Sequence, residues 1–111
     1  MRAAKPDVIV AWCRRAIAAG APLLDLADGS EAWQERQAWY RSVFRDMVKL
    51  DVPASWRQRL SFPLGQPGVP TWRLGEEGSA TMPTVPTDRA QHRARLVVLR
   101  DLAAAVEAGE A

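Results

Sequence analysis

Apolar residues near the start of the chain recur at intervals of three and four. Ile9, Trp12, Cys13, Ala16 and Ile17 form one stripe, while Asp7, Ala11, Arg14 and Arg15 take the other side. This is the period of an amphipathic helix. Pro6 suits its first turn, because a prolyl nitrogen has no hydrogen to leave unbonded, and Asp7 beside it faces the positive end of the helix dipole. The spacing predicts a helix from Pro6 to Gly20. Pro22 then opens a connection whose Leu23, Leu24 and Leu26 are expected to tuck beneath the helices.

A broader pattern follows. Trp33, Tyr40, Phe44, Met47 and Val48 fall in one apolar row with Trp39, Val43 and Leu50 beside it, a face wide enough for a buried central helix. Asp28 and Glu31, three residues apart, resemble a capping box, with Ser30 as the alternative cap. Asp51 and Pro53 close this helix, since the residue before a proline is pushed out of helical geometry. "PASWRQRL" then restarts a short helix carrying Trp56, Arg57 and Arg59. In the last segment Ala94, Leu96, Val98, Leu99, Leu102 and Val106 make a wide apolar face, with Thr87 as the expected cap, Asp88 in the first turn and Gly109 past the end.

The character changes between Ser61 and Thr87, where five of the eight prolines and four of the seven glycines lie. No long helix fits there. A connection of this length is uncommon in a small domain unless it has a function or is disordered. "PTWRL" and "ATMPTV" around the turn-like "GEEGS" offer a β-hairpin as one way to order it. The expected fold class is therefore mainly α, a small helical bundle of three main helices plus one short helix. It forms a single domain over residues 1–111, with a Pro/Gly-rich excursion at 61–87 that is irregular or hairpin-bearing.

Composition agrees with this picture and narrows it. The chain has 111 residues, 48% of them hydrophobic and 25% charged, which suits one ordinary globular core. Its net charge of +2 permits an anionic partner without demanding one. A single cysteine excludes an internal disulfide and fits a reducing, cytoplasmic setting. The basic start and apolar stretch near the N-terminus mimic a signal peptide, yet Arg14 and Arg15 interrupt the stretch too soon. No apolar run approaches the roughly 20 residues that span a bilayer, so no membrane role is expected.

Candidate chemistry is sparse. His92 is the lone histidine, set among Arg89, Arg93 and Arg95, whose charges disfavour its protonated form; it is expected at the surface. Cys13 sits on the apolar stripe of the first helix and is expected to pack as a small hydrophobe rather than act as a nucleophile. "PLGQPG" and "LGEEG" lack the lysine and the strand-to-helix setting of a phosphate loop. Glu76 and Glu77 are adjacent in a turn and are expected to keep it solvated. No catalytic residues, no metal site and no cofactor are expected.

Arginine and tryptophan carry more information. Arg41, Arg45 and Lys49 recur every four residues along the second helix, and Arg89 and Arg93, with Arg100 further on, form a second strip on the last helix. Side by side, two such strips would follow a nucleic-acid backbone. Among the five tryptophans, Trp12, Trp33 and Trp39 have helical spacing and are expected in the core. Trp56 and Trp72 border the Pro/Gly segment, and each is followed by an arginine. Aromatic side chains with arginine are typical anchors of protein interfaces, although both indoles could instead fold back and seal the bundle. The leading expectation is a non-enzymatic protein-binding or assembly module that contacts another protein, a complex or a second copy of itself through Trp56, Arg57, Arg59, Trp72 and Arg73. Small accessory proteins of viruses and mobile elements, connectors and inhibitors of host complexes among them, take this form. Nucleic-acid binding through Arg41, Arg45, Lys49, Arg89 and Arg93 is the alternative.

Overall fold

The computed structural model describes residues 5–63 and 88–110. Helix α1 spans Pro6–Gly20 and continues into a 3₁₀ turn at Ala21–Asp25; α2 spans Ser30–Lys49, α3 Ala54–Ser61 and α4 Arg89–Glu107. The mainly α class expected from the periodicity is the class found, with no strand among the described residues. The strands of the suggested hairpin, 70–74 and 80–85, lie outside them, as do Trp72 and Arg73.

The most extensive packing is between α1 and α4. Ile9, Val10, Trp12, Cys13 and Ala16 on α1 join Val98, Leu99, Leu102, Ala103 and Val106 on α4 in one core, which Val43 and Met47 of α2 and Trp56 and Leu60 of α3 complete. Both helices present the stripes their sequences predict, so the spacing of three and four is realised as burial. Two indoles tie α1 to α2. Trp12 Nε1 donates to the Asp46 carboxylate at 3.0 Å, and Trp39 Nε1 donates to the Ala16 carbonyl at 3.0 Å. Among the described residues no helix is long and apolar enough to cross a membrane.

Helix α2 is turned relative to the expected face. Its buried residues are Ala32, Arg36, Val43 and Met47, while Tyr40 and Phe44 are half-buried and Trp33 and Val48 are exposed by 45% and 49%. An arginine occupies the middle of the inward row, and Trp33 and Val48 are displaced to its flanks. The expected capping box is also absent. Gly29 is the N-cap without a side-chain bond, because the Asp28 carboxylate accepts instead from Arg36 and from the backbone amide of Arg89. In the connection, Leu23 and Leu24 are half-buried but Leu26 is exposed. At α4 the cap is Asp88 rather than Thr87, its carboxylate accepting from the Gln91 amide at 2.8 Å.

The C-terminus of α2 explains how the chain turns toward α3. Asp51 has φ 57°, its amide donates to the Val48 carbonyl at 3.1 Å, and the Val52 amide donates to the Met47 carbonyl at 2.9 Å. These two bonds form a Schellman closure, with buried Val52 as its hydrophobic lock and Pro53 preventing continuation. Gly109, at φ 77°, fills the same role after α4. Aspartate meets a left-handed penalty that glycine escapes. Asp51→Gly is expected to raise the unfolding free energy by about 0.5–1 kcal/mol, measured by urea titration. An unchanged or lower midpoint would mean that the turn is not strained.

Candidate functional site

The two reactive side chains of the sequence are both interior. Cys13 is fully buried in the α1 stripe, as expected, and burial pushes its thiol up to about 11. A thiol held protonated is a poor nucleophile. His92 departs from expectation, being fully buried rather than at the surface. Position 92 shares the inward face of α4 with Arg95, Leu99 and Leu102, and this phase carries the imidazole under the end of α1. Its Nε2 lies 2.7 Å from the Gly20 carbonyl, and its ring meets the Trp39 ring edge-on at 4.8 Å between centroids. A carbonyl can only accept, so Nε2 carries the hydrogen and Nδ1, which has no partner among the described residues, is bare.

Protonating His92 would place a new N–H at Nδ1 with nothing to receive it. Desolvation therefore holds its pKa below 6.5, and the charges of Arg36 and Arg95 push the same way against the Gly20 hydrogen bond. A depressed histidine pKa means that the unfolded chain takes up the proton first as pH falls. The contribution is complete above pH 6.5 and is lost as pH falls from there toward the folded value. Unfolding free energy is expected to fall as pH drops below 6.5 in the wild type and to fall less steeply in His92→Gln, read by urea titration at a series of pH values. Equal slopes would remove His92 as the cause. Asp28 acts lower. The Arg36 hydrogen bond holds its carboxyl below 3.8, so its contribution is present above that value and lost beneath it.

Three arginines that the sequence places on helices are engaged in holding the fold. Arg36 is fully buried and donates from Nε to the Leu23 carbonyl at 3.1 Å, from Nη2 to the Leu26 carbonyl at 2.8 Å, and from Nη1 to Asp28. Arg89, though exposed, donates to the Leu24 carbonyl at 2.8 Å and the Leu26 carbonyl at 3.0 Å. The two guanidinium groups thus clasp the connection between α1 and α2. Arg95 is also buried, donating from Nε to the Leu60 carbonyl at 3.0 Å and stacking 3.9 Å over the Tyr40 ring. Its Nη1 is buried without a partner among the described residues, and desolvation lowers its pKa to about 10, still charged at neutral pH.

The surface candidates separate into two groups. Trp56 is 9% exposed and belongs to the core, so the α3 side of the suggested protein contact consists of Arg57, half-buried, and Arg59, exposed. Arg59 stacks 4.0 Å over the Trp56 ring and lies 3.9 Å from Asp101. Arg41, Arg45 and Lys49 are all exposed on α2, and none makes an ion pair among the described residues. The second basic strip is thinner than its sequence suggests. Arg93 is exposed, but Arg89 is committed to the two leucine carbonyls and Arg100 sits 3.7 Å from Asp101.

An open groove follows α2, lined among the described residues by Ala38, Tyr40, Arg41, Phe44 and Arg45. The Tyr40 and Phe44 rings pack edge to face at 6.2 Å, and Tyr40 Oη is 2.8 Å from Ser61 Oγ, which fixes the floor against α3. Half-buried aromatics alongside two exposed guanidinium groups can hold an apolar side chain and an anionic one together. No cluster of metal-ligating side chains occurs among the described residues. Comparison with protein-family models, curated proteins and solved structures gives no match to the chain.

Proposed function

We propose that the chain is a non-enzymatic protein-binding or assembly module. What supports this is the α2 groove, lined among the described residues by Tyr40 and Phe44 with the exposed Arg41 and Arg45 beside them. Aromatic rings with arginine are the side chains that dominate binding energy at protein interfaces. Arg57 and Arg59 on α3 are further candidates, and Trp72 and Arg73, candidates from the sequence, lie outside the described residues. Cys13 and His92, the groups best suited to covalent or acid–base chemistry, are occupied in packing and in a hydrogen bond to Gly20.

Nucleic acid is the second reading, favoured by the exposed cations Arg41, Arg45 and Lys49, which make no ion pair among the described residues, with Arg93 in support. The engagement of Arg89 narrows that field. The test is affinity capture from the source cells with the intact chain, Arg41→Glu and Trp72→Ala as baits. A defined partner retained at high salt and lost with either substitution is the expected result. Retention of single-stranded DNA or RNA that falls steeply as salt rises, with no protein captured, would replace the protein reading with the nucleic-acid one.

A further inference from the structure

The outward face of α2 carries a second regularity. Glu31, Glu35, Ala38, Ser42, Arg45 and Lys49 are spaced alternately by four and three residues, and all six are exposed. That alternation is the spacing of a helix–helix seam, yet this row points away from the core of its own chain. Its charges are segregated about residue 40. Glu31 and Lys49 are equally distant from it, as are Glu35 and Arg45, and the small residues Ala38 and Ser42 flank the centre.

We propose that two copies of the chain associate through this row, α2 running antiparallel to its counterpart about a two-fold axis near residue 40. The contact pairs Glu31 with Lys49 and Glu35 with Arg45 of the second copy, and Ala38 with Ser42 allows the helices to approach where they cross. Such an isologous contact needs one self-complementary patch, and a row with opposite charges at mirrored positions is one. The inference rests on the assembly reading above and identifies one partner as the chain itself.

The charge pattern is not accounted for within a single helix. Acidic residues early and basic residues late suit a helix dipole, but that effect fades within the first and last turns. Glu35 and Arg45 lie further in. Spacing by four sets Glu31 beside Glu35, and Arg41 beside Arg45 and then Lys49, so like charges are neighbours, an arrangement that disfavours an isolated helix. None of these five side chains has an opposite charge in an ion pair among the described residues. A second copy in antiparallel register supplies one for each of the row's four charged members, Glu31, Glu35, Arg45 and Lys49. Nucleic acid would use the basic half alone and leave Glu31 and Glu35 without a role. A wholly acidic partner would do the same.

Sedimentation equilibrium of the full chain tests this, from about 1 µM to about 500 µM, at low salt and again at high salt where exposed charges are screened. A monomer–dimer equilibrium that weakens with salt is expected. Glu35→Arg and Arg45→Glu should each raise the dimer Kd at least about tenfold, and the double variant, which restores opposite charges across the axis, should recover to within about threefold of wild type. Circular dichroism of each variant confirms that helix content is kept. A monomer at every concentration, a dimer indifferent to both single substitutions, or a double variant no better than the singles would overturn the proposal. Association only upon addition of DNA or of an acidic peptide would overturn it as well. A monomeric chain that still captures a distinct protein leaves the binding role standing, whereas a dimer that captures nothing confines the role to self-assembly.

Discussion

Arg36→Met is expected to lower the unfolding free energy by about 3 kcal/mol and the Tm by roughly 15 °C, the larger of the two main stability effects. Methionine keeps much of the apolar stem and removes the donors. At least three interactions go with the guanidinium, those to Leu23, Leu26 and Asp28 among them. They are not equivalent. Asp28 is half-exposed and can be rehydrated, and Leu26 keeps its bond from Arg89, so the heaviest single loss is at the half-buried Leu23 carbonyl. Each hydrogen bond from a charged donor contributes on the order of 1.5–3 kcal/mol, which sets the total once the two partial recoveries are discounted. Arg36→Lys should fall nearly as far, because one ammonium cannot span three acceptors on different atoms. Arg89→Ala, on an exposed residue, should cost about 1 kcal/mol or less. A urea midpoint for Arg36→Met within error of wild type would show that the connection between α1 and α2 is held by its leucines alone.

That arginine was the least legible feature of the sequence, although its position carried a clue. It lies four residues after Ala32 and seven before Val43, in phase with the inward row. The larger aromatics at 33, 39, 40 and 44 draw the expected face toward themselves, and a charged residue in phase adds nothing to an apolar count. His92 and Arg95 repeat the pattern on α4, where they precede Leu99 by seven and four residues. A polar side chain on the inward phase of a strongly amphipathic helix marks a buried hydrogen-bonding node. What it binds was beyond reach, because the acceptors at Gly20, Leu23, Leu26 and Leu60 are backbone carbonyls whose placement depends on tertiary packing.

Helices α1 and α4 were legible nearly to the residue, since Pro6, Gly20 and Gly109 punctuate segments of unbroken period. Exposure of Arg41, Arg45 and Lys49 followed from the same period. Commitment of Arg89 did not, because nothing local sets it beside Leu24 and Leu26. Trp56 was ambiguous at the border of the Pro/Gly segment. Its spacing of four from the fully buried Leu60 was the sign that the indole faces inward.

Gly20→Ala is the second large effect, and its direction runs against helix propensity. Gly20 has an ordinary helical φ of −86°, and there alanine would by itself favour the helix by about 1 kcal/mol. The obstacle is space. A methyl carbon on Gly20 would stand 2.6 Å from Cε2 of Trp39 and 2.8 Å from its Cζ2 and Nε1. That ring cannot retreat freely, because Nε1 donates to the Ala16 carbonyl and the ring packs edge-on with His92. Moving the backbone instead would displace the Gly20 carbonyl from His92. Overpacking of this kind costs about 1–3 kcal/mol and at such short contacts the upper end applies, so a net loss of about 2 kcal/mol is expected after the propensity gain. Trp39→Leu shortens the obstructing side chain while weakening the node. In the double variant Gly20→Ala/Trp39→Leu the alanine should therefore cost far less than in the wild type, a coupling of at least about 1 kcal/mol in the double-mutant cycle. A stabilised Gly20→Ala, or additive effects, would mean that the Trp39 ring does not fill the space beside Gly20.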